Sequence, residues 1–189
     1  MYAMSARERL VESARELLWE RGYVGVSPRA IQERAGAGQG SMYHHFSGKA
    51  ELALEAVRRT AGQLRDTAEA ELSGPGTARS RISAHLLRER EVLRGCPVGR
   101  LTQDPEIVAS PRLREPVEET FTWLRSRLAE VIAEGREEFP AGLDPVATAT
   151  AIVAVLQGGY VLARAAGSAE PFDQAINGVL GLLGVAPAD

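Results

Sequence analysis

A chain of 189 residues is long enough for one compact domain or for a small domain joined to a larger one. Hydrophobic residues make up 44% of the chain and charged residues 25%, which is the composition of a soluble protein with a substantial core. No apolar run looks long enough to span a membrane, the charged first ten residues lack a signal-peptide core, and a single cysteine, Cys96, excludes a disulfide framework. These features predict a cytoplasmic protein.

The charges are distributed unevenly along the chain. The net charge is −3, which by itself argues against binding to DNA. Residues 1–60 nevertheless carry nine Lys or Arg and seven Asp or Glu, a local charge of +2, whereas residues 61–189 carry a charge of −5. Because a partner responds to the local patch, an acidic partner such as DNA would meet the N-terminal third.

Helical periodicity dominates the chain and no convincing alternating strand appears, so the fold is predicted to be all-α with about nine helices. The first helix, 6–21, ends at Gly22, which supplies a left-handed stop. The second helix begins after the N-cap residue Ser27, with Pro28 in its first position, and ends at Gly36.

Later helices are separated by two firm breaks, one around Gly74-Pro75 and one around Phe139-Pro140. The segments with a helical pattern are 39–45, about 48–72, 77–94, a short one within 98–108 interrupted near Pro105, 110–134, 144–166 and 171–184.

The third predicted helix and the turn before it have the composition of a DNA-reading unit. Such a helix needs small residues at the turn, an apolar inner face that fixes its angle, and short polar residues outside. Ala35-Gly36-Ala37 supplies the turn, and Met42 and Phe46, four residues apart, supply the inner face. The sequence therefore predicts a helix-turn-helix.

The candidates for DNA contact are Arg29, Gln39, Gly40, Ser41, Tyr43, His44, His45 and Lys49. Gln39 can form paired hydrogen bonds to an adenine edge, and Gly40 lets the backbone approach closely. Ser41, Tyr43 and His44 suit phosphate oxygens, which position the helix without reading sequence. The remaining cations, on the second and fourth helices, are candidates for the phosphate backbone, and the fourth helix adds its positive dipole end.

A structural alternative exists for this segment and for two of its residues. A small helical core with an ordinary polar surface would explain the pattern without DNA, although such a core does not need an exposed Tyr-His-His run. Tyr43 could lie partly in the core, and His45 could simply face solvent.

Residues 6–58 resemble the DNA-binding region of the tetracycline-repressor (TetR) family. The resemblance rests on Gly22-Tyr23, Ser27, Ile31, Ala35-Gly36, the run from Gly40 to Phe46, and Lys49 with Leu52. It implies an all-α homodimer with an N-terminal helix-turn-helix DNA-binding domain, 1–50, and a C-terminal helical ligand-binding and dimerisation domain, 51–189, linked by the fourth helix. It also implies an operator in double-stranded DNA and a small-molecule effector. The residues themselves predict no cofactor, no metal, no catalytic residue and no membrane partner.

The run Gly95-Cys96-Pro97-Val98-Gly99-Arg100-Leu101 is similar to the LmrA/YxaF-like subgroup of that family. A ligand pocket needs apolar walls with a few polar groups. The candidates to line it are Cys96, Phe121, Trp123, Gln157 and Tyr160, and the neighbourhood of Phe121 and Trp123 suggests an apolar effector. For any single one, a core or dimer contact is the commoner role. Cys96 itself is either a redox sensor or an inert thiol.

The last two predicted helices are rich in small and apolar residues, so two from each subunit could form a four-helix dimer interface. Packing within one subunit is the alternative. The leading hypothesis is a dimeric repressor that a ligand releases from a palindromic operator. The ligand would bind better when the two DNA-binding domains are wrongly spaced for the operator, and so would shift the population away from DNA.

Two other functions stay open. An enzyme has little support, because three histidines and one cysteine do not match common metal-ligand spacings and no glycine-rich phosphate loop follows a strand. A pair of His85 with Cys96 would lack a third group to orient it. A DNA-binding protein without an effector is the second alternative, and a fully packed C-terminal core would favour it.

Overall fold

The computed structural model describes residues 4–185. Their regular structure consists of nine α-helices and two short 3-10 helices without a strand, as the periodicity predicted. In chain order these are α1 (Ala6–Arg21), α2 (Pro28–Ala35), α3 (Gln39–His45), α4 (Lys49–Leu72), α5 (Ala78–Leu87), a 3-10 helix (Gly99–Gln103), α6 (Pro105–Ala109), α7 (Pro111–Glu134), a second 3-10 helix (Arg136–Glu138), α8 (Pro145–Ala166) and α9 (Glu170–Leu182).

Contacts divide the chain into two compact units. The first unit contains residues 4–63 together with 97–119, and the second contains 64–96 together with 120–185. The sequence-based division at residue 50 concerns function and stays a prediction. The contact units fall elsewhere because the first half of α4 and the segment 97–119 pack with the N-terminal helices.

The first unit is built around α1. A capping box fixes the start of this helix: the Ser5 hydroxyl accepts from the backbone N–H of Glu8 at 3.2 Å, and the Glu8 carboxylate accepts from the Ser5 N–H at 2.7 Å. These hydrogen bonds lower the pKa of Glu8. The helix packs against α2 and α3. Its buried face consists of Leu10, Val11, Ser13, Ala14, Leu17 and Leu18.

The second unit has its core around α8 and α9, which pack along each other. Gly159 permits this approach, because a Cβ at that position would lie 2.9 Å from the ring of Phe172. The largest members of the core cluster are Leu72, Ile82, Leu86, Leu128, Ile132, Phe139, Ile152, Leu156, Phe172, Ile176, Leu180 and Leu183.

Helix α8 corrects one expectation from the sequence. With 22 residues and a mean hydropathy of 1.7 in its most apolar window, it is long and apolar enough to cross a membrane by length and composition alone. The scattered Thr and Gln residues hide this in a search for an uninterrupted run. The buried side of α8, with Ile152, Leu156 and Ala163, lies in the core of the second unit. A core helix of a folded domain passes the same criterion.

The fifth helix is shorter than its sequence pattern predicts. The pattern continues past Leu87, but α5 ends there and an irregular segment follows. The cause is Arg90, whose guanidinium turns back and donates to the backbone carbonyl oxygens of His85, Leu86 and Arg88. A side chain that satisfies the last carbonyls of a helix removes the need for a further turn.

Candidate nucleic-acid interface and effector region

The second helix of the first unit has the start and stop that its sequence predicted. The Ser27 hydroxyl accepts from the Ala30 N–H at 3.1 Å, and Pro28 occupies the first turn. Gly36 ends the helix in a left-handed conformation, φ 57° and ψ 38°, which a residue with a Cβ adopts at a cost. The chain therefore turns sharply from α2 into α3, as a helix-turn-helix requires.

Helix α3 is anchored by its predicted inner face. Met42 is fully buried and Phe46 is 3% exposed. The Gln32 amide of α2 donates to the Met42 sulfur at 3.2 Å, which joins the two helices of the motif. Gly38 precedes α3 and gives it no side-chain cap. Packing on α1 and α2, rather than a side-chain cap, consequently adds to the backbone hydrogen bonds that hold this short helix.

The opposite face of α3 presents its polar residues outward. Gln39, Gly40, Tyr43 and His44 are exposed, and Ser41 and His45 are half-buried. Tyr43 has 52% of its surface accessible, so about half of this side chain is available for contact with DNA. The rings of His44 and His45 meet edge to face, with centroids 4.9 Å apart. This face combines donors and acceptors on a helix of seven residues, which suits a DNA groove.

Arg29 and Lys49, the two cations predicted to contact phosphate, lie in different surroundings. Arg29 is strongly exposed and pairs with Glu33 at 2.7 Å, a partner that the sequence reasoning did not assign. The Lys49 ammonium lies 3.9 Å from the ring centroid of Tyr23, and burial raises the pKa of that tyrosine. Both cations stay candidates for phosphate contact.

The start of α4 already holds a carboxylate. Glu51 accepts from the Ser47 backbone N–H at 2.7 Å and from the Ser47 hydroxyl at 2.6 Å. These hydrogen bonds lower the pKa of Glu51. Its negative charge complements the positive end of the helix. The dipole that we expected to favour phosphate is therefore partly offset by a side chain of the same helix.

Asp104 stabilises the turn between α1 and α2 through hydrogen bonds, a role that was not predicted from the sequence. One carboxylate oxygen accepts from the N–H groups of Glu106 and Ile107 at 3.1 and 3.2 Å and caps α6. The other accepts from the N–H of Val24 at 2.8 Å. Gly22, with φ +71°, leaves room for it, since a Cβ there would lie 3.0 Å from the carboxylate. The Asp-Pro pair signals a helix cap, but its partner 80 residues earlier leaves no local signal.

In the second unit, the five predicted ligand-lining residues are all partly buried. Phe121 packs against the core cluster. The ring of Tyr160 stacks on Phe172 with centroids 4.8 Å apart, and burial raises the pKa of Tyr160 to about 12. Arg90 and Cys96 also act on the Tyr160 phenol electrostatically, which brings Cys96 into its neighbourhood. Whether a ligand touches these side chains stays a prediction.

His85, which the sequence analysis considered as a partner for Cys96, is buried. Its Nδ1 lies 2.7 Å from a carboxylate oxygen of Glu71, and its Nε2 has no hydrogen-bond partner. Burial lowers the pKa of His85, against the opposing effect of Glu71. Within residues 4–185, no group of three or more His, Cys, Asp or Glu side chains is placed to hold a metal ion.

Comparison with known proteins assigns both parts of the chain. Residues 10–56 match the family described as "Bacterial regulatory proteins, tetR family", and residues 78–179, more than half of the chain, match "Tetracyclin repressor-like, C-terminal domain". The chain belongs to the TetR family. It is thus a DNA-binding transcriptional regulator of the ligand-responsive kind, and the helix-turn-helix prediction is confirmed.

Curated TetR-like relatives resemble this chain to different extents. The transcriptional regulator AcuR of Cereibacter sphaeroides is 30% identical over 171 residues, 86% of this chain and 78% of AcuR. The uncharacterized regulator YxaF of Bacillus subtilis is 32% identical over 113 residues, 56% of this chain and 59% of YxaF, in agreement with the predicted subgroup. The repressor AcnR of Corynebacterium efficiens is 33% identical over 64 residues, so the chain spans about a third of that relative.

Solved TetR structures confirm the fold. Reduced NemR of E. coli superposes with a TM-score of 0.83 at 23% identity, covering 97% of this chain and 99% of NemR. A TetR regulator of Chloroflexus aurantiacus superposes with a TM-score of 0.80 at 28% identity, covering 93% and 92%. The family is regulatory and dimeric and binds operators and small-molecule effectors, whereas the particular DNA contacts stay predictions.

Proposed function

We propose that this TetR-family protein is a cytoplasmic, dimeric repressor that a small effector releases from a palindromic operator. The observation that carries the proposal is the outer face of α3, where exposed Gln39, Tyr43 and His44 stand opposite a fully buried Met42. A helix fixed on one side and polar on the other can enter a major groove without repacking its own unit. The name of AcnR, a transcriptional repressor, favours repression over activation.

Dimerisation is supported by glycines that packing within the subunit does not require. A Cβ at Gly158, Gly178 or Gly181 would meet nothing within 4 Å. Beside them, Val161 and Leu182 keep 63% and 78% of their surface exposed. Small residues with apolar neighbours let helices of two subunits approach closely. Helices α8 and α9 of two copies would then form a four-helix interface.

A small-molecule effector is supported by space in the second unit. A cleft of about 520 Å³ lies there, within the usual range for ligand sites. This counts against the alternative of a DNA-binding protein with a fully packed C-terminal core. The residues that the sequence suggests for ligand contact, Cys96, Phe121, Trp123, Gln157 and Tyr160, do not line this cleft and stay separate candidates in the same unit. Their aromatic members favour an effector with an apolar body.

Selection of bound duplexes from random DNA, with and without a small-molecule library, tests the whole proposal. We expect a palindromic consensus with half-sites about one helical turn apart, since each head of a dimer would occupy one major groove. One class of compound should reduce recovery of that consensus. Absence of a specific duplex at moderate salt, with and without the library, would contradict the reading of α3. A consensus that no compound affects would favour the effector-free alternative.

A further inference from the structure

A half-open cleft runs along the flank of α9 beside the end of α5. It has a volume of about 520 Å³ and lies within the second unit. Its apolar walls are Leu86, Leu87, Val92, Phe172 and Ile176, and its charged members are Arg88, Glu89, Arg90 and Asp173. None of the five residues that the sequence suggested for the effector lines it. A cleft of this size with mixed walls can enclose a small organic molecule.

The acidic and basic side chains of the cleft differ in their exposure to solvent. Glu89 and Asp173 are exposed, so water screens their carboxylates. Arg88 and Arg90 are half-buried, and this burial lowers the pKa of Arg90. The inner part of the cleft is consequently more positive than its rim.

The carboxylate of Glu71 lies beside His85 and Arg88. Glu71 pairs with His85 at 2.7 Å and lies 3.8 Å from the Nε of Arg88, a distance too long for a hydrogen bond. That buried Nε has no hydrogen-bond partner. Burial disfavours the charged form of His85, and two guanidinium charges, on Arg88 and Arg90, lie near the single carboxylate charge of Glu71. The cluster therefore has a surplus positive charge beside an apolar wall.

Arg90 is held in place without being neutralised. Its guanidinium donates to the carbonyl oxygens of His85, Leu86 and Arg88, which fixes its position while leaving its formal charge. It also lies 5.9 Å from the ring centroid of Phe172, on the cleft wall. A fixed guanidinium next to an aromatic wall matches a ligand that combines an anionic head with an apolar body.

We propose that this cleft is the effector site and that it binds a small organic acid, with the carboxylate toward Arg90 and Arg88 and the apolar body along Phe172 and Ile176. The inference rests on the proposed function, because it names the class of effector. It differs from the earlier expectation of a purely apolar effector. Benzoate is a suitable probe, and benzamide is its neutral counterpart of nearly equal shape.

Binding is measured on the full chain without DNA, by calorimetric titration with benzoate, hexanoate, benzamide and sulfate. We expect saturable binding of at least one of the two carboxylates, and an affinity for benzamide and for sulfate lower by about tenfold or more, because a charge-assisted pair and an apolar contact are both needed. Neither carboxylate binding, or benzamide or sulfate binding as tightly, would overturn the proposal.

Two variants locate the binding. Arg90→Gln should weaken carboxylate binding by about tenfold or more, because it removes the charge-assisted hydrogen bonds. This variant also removes the contacts that end α5, so a second change leaves them in place: Leu87→Trp puts a bulky ring on an exposed wall position, 54% accessible, and should block the cleft. The matched control is Leu93→Trp, 51% accessible and outside the lining. Equal binding by both Trp variants would place the ligand elsewhere and overturn the proposal.

The two proposals can fail separately. If benzoate binds as expected but duplex selection yields no operator, the repressor proposal falls and the acid site stands. If an operator emerges but neither carboxylate binds, only the acid site falls.

Discussion

At the scale of single residues, the outer face of α3 divides into positions that read bases and positions that hold phosphate. Gln39 and Tyr43 are both exposed, but only an amide can pair with an adenine edge. We expect Gln39→Ala to relax the preference at one base position of each half-site, a loss of about 1–3 kcal/mol of discrimination. Tyr43→Ala should weaken binding to all sequences alike, because a phosphate contact carries no sequence information.

Parallel duplex selections with the two variants and the parent protein measure this difference. Each variant serves as the control for the other, since both shorten an exposed side chain of the same helix. An unchanged consensus for Gln39→Ala would remove Gln39 from the base-reading positions.

Asp104 leads to a prediction about stability. Its carboxylate accepts three backbone N–H groups, and its side chain is only 8% exposed. Asp104→Ala should lower the free energy of unfolding by about 1–3 kcal/mol, because buried donors lose their acceptor. Urea unfolding measures the free energy of unfolding of this variant. The control is Asp66→Ala, which truncates an exposed aspartate of α4. A similar small change in both variants would show that Asp104 does not brace the turn.

Residue roles were predictable from the sequence where the cause was local. The Ser27 cap and the burial of Met42 and Phe46 depend on neighbours within one turn of helix, so periodicity and capping rules sufficed. The contact between Asp104 and Val24 depends on how the chain returns after 80 residues. A single sequence contains no local signal for such a contact.

At the scale of helices, α5 shows how side chains fix both ends of an element. Its first turn is capped by Thr77, which accepts from the Ser80 N–H at 3.1 Å, and by Glu138, which accepts from Ala78 and Arg79 at 3.1 and 2.8 Å. The sequence predicted this start near Thr77. It did not predict the end. Helix propensity favoured continuation, but Arg90, which lies beyond the helix, donates hydrogen bonds to the carbonyl oxygens at the helix end.

The Glu138 cap makes the stability of α5 depend on pH. Its hydrogen bonds from the backbone N–H groups of Arg79 and Ala78 lower the pKa of Glu138 below its usual 4.5. A carboxyl whose pKa is lower in the folded state stabilises the fold above its ordinary pKa, and that stability is lost as pH falls through the folded-state pKa. Glu138→Gln should thus destabilise the protein at pH 7, and the difference from the parent should be smaller at pH 3.

Urea unfolding at both pH values measures the difference between variant and parent. The neighbouring Glu137→Gln is the matched control, because it removes an exposed carboxylate from the same 3-10 helix. If the effect of Glu138→Gln at pH 3 equals its effect at pH 7, the ionised carboxylate does not hold the helix start.

At the scale of the whole molecule, the proposed dimer explains why α8 and α9 keep apolar surface outside. Val161→Glu and Leu182→Glu would place an unpaired charge in the proposed interface, which costs several kcal/mol when it is buried. We expect the dimer dissociation constant to rise by about 100-fold or more, equivalent to roughly 3 kcal/mol. Sedimentation velocity over a range of concentrations measures it. Val108→Glu, a change of the same kind at a 46% exposed position in the first unit, should leave the dimer intact.

An acidic protein can bind DNA through a local basic patch. The net charge of −3 opposes DNA binding only through acidic groups that lie close to the DNA, because at physiological salt a charge is screened beyond about 8 Å. The local +2 of residues 1–60 should therefore control binding, and the more acidic remainder should matter little. Arg29 tests this directly, because its side chain is 87% exposed and belongs to the first unit.

Each phosphate contact contributes about 0.9 to the slope of log affinity against log salt concentration, so a dimer that loses two Arg29 contacts should lose a slope of about 2. Arg29→Gln should show this loss in operator titrations between low and physiological salt. Arg136→Gln makes the same change of net charge at an exposed position of the second unit and should leave the slope unchanged. Equal slopes for parent and Arg29→Gln would assign Arg29 to its ion pair with Glu33 alone. Equal losses in both variants would mean that total charge, rather than the local patch, governs how this protein meets DNA.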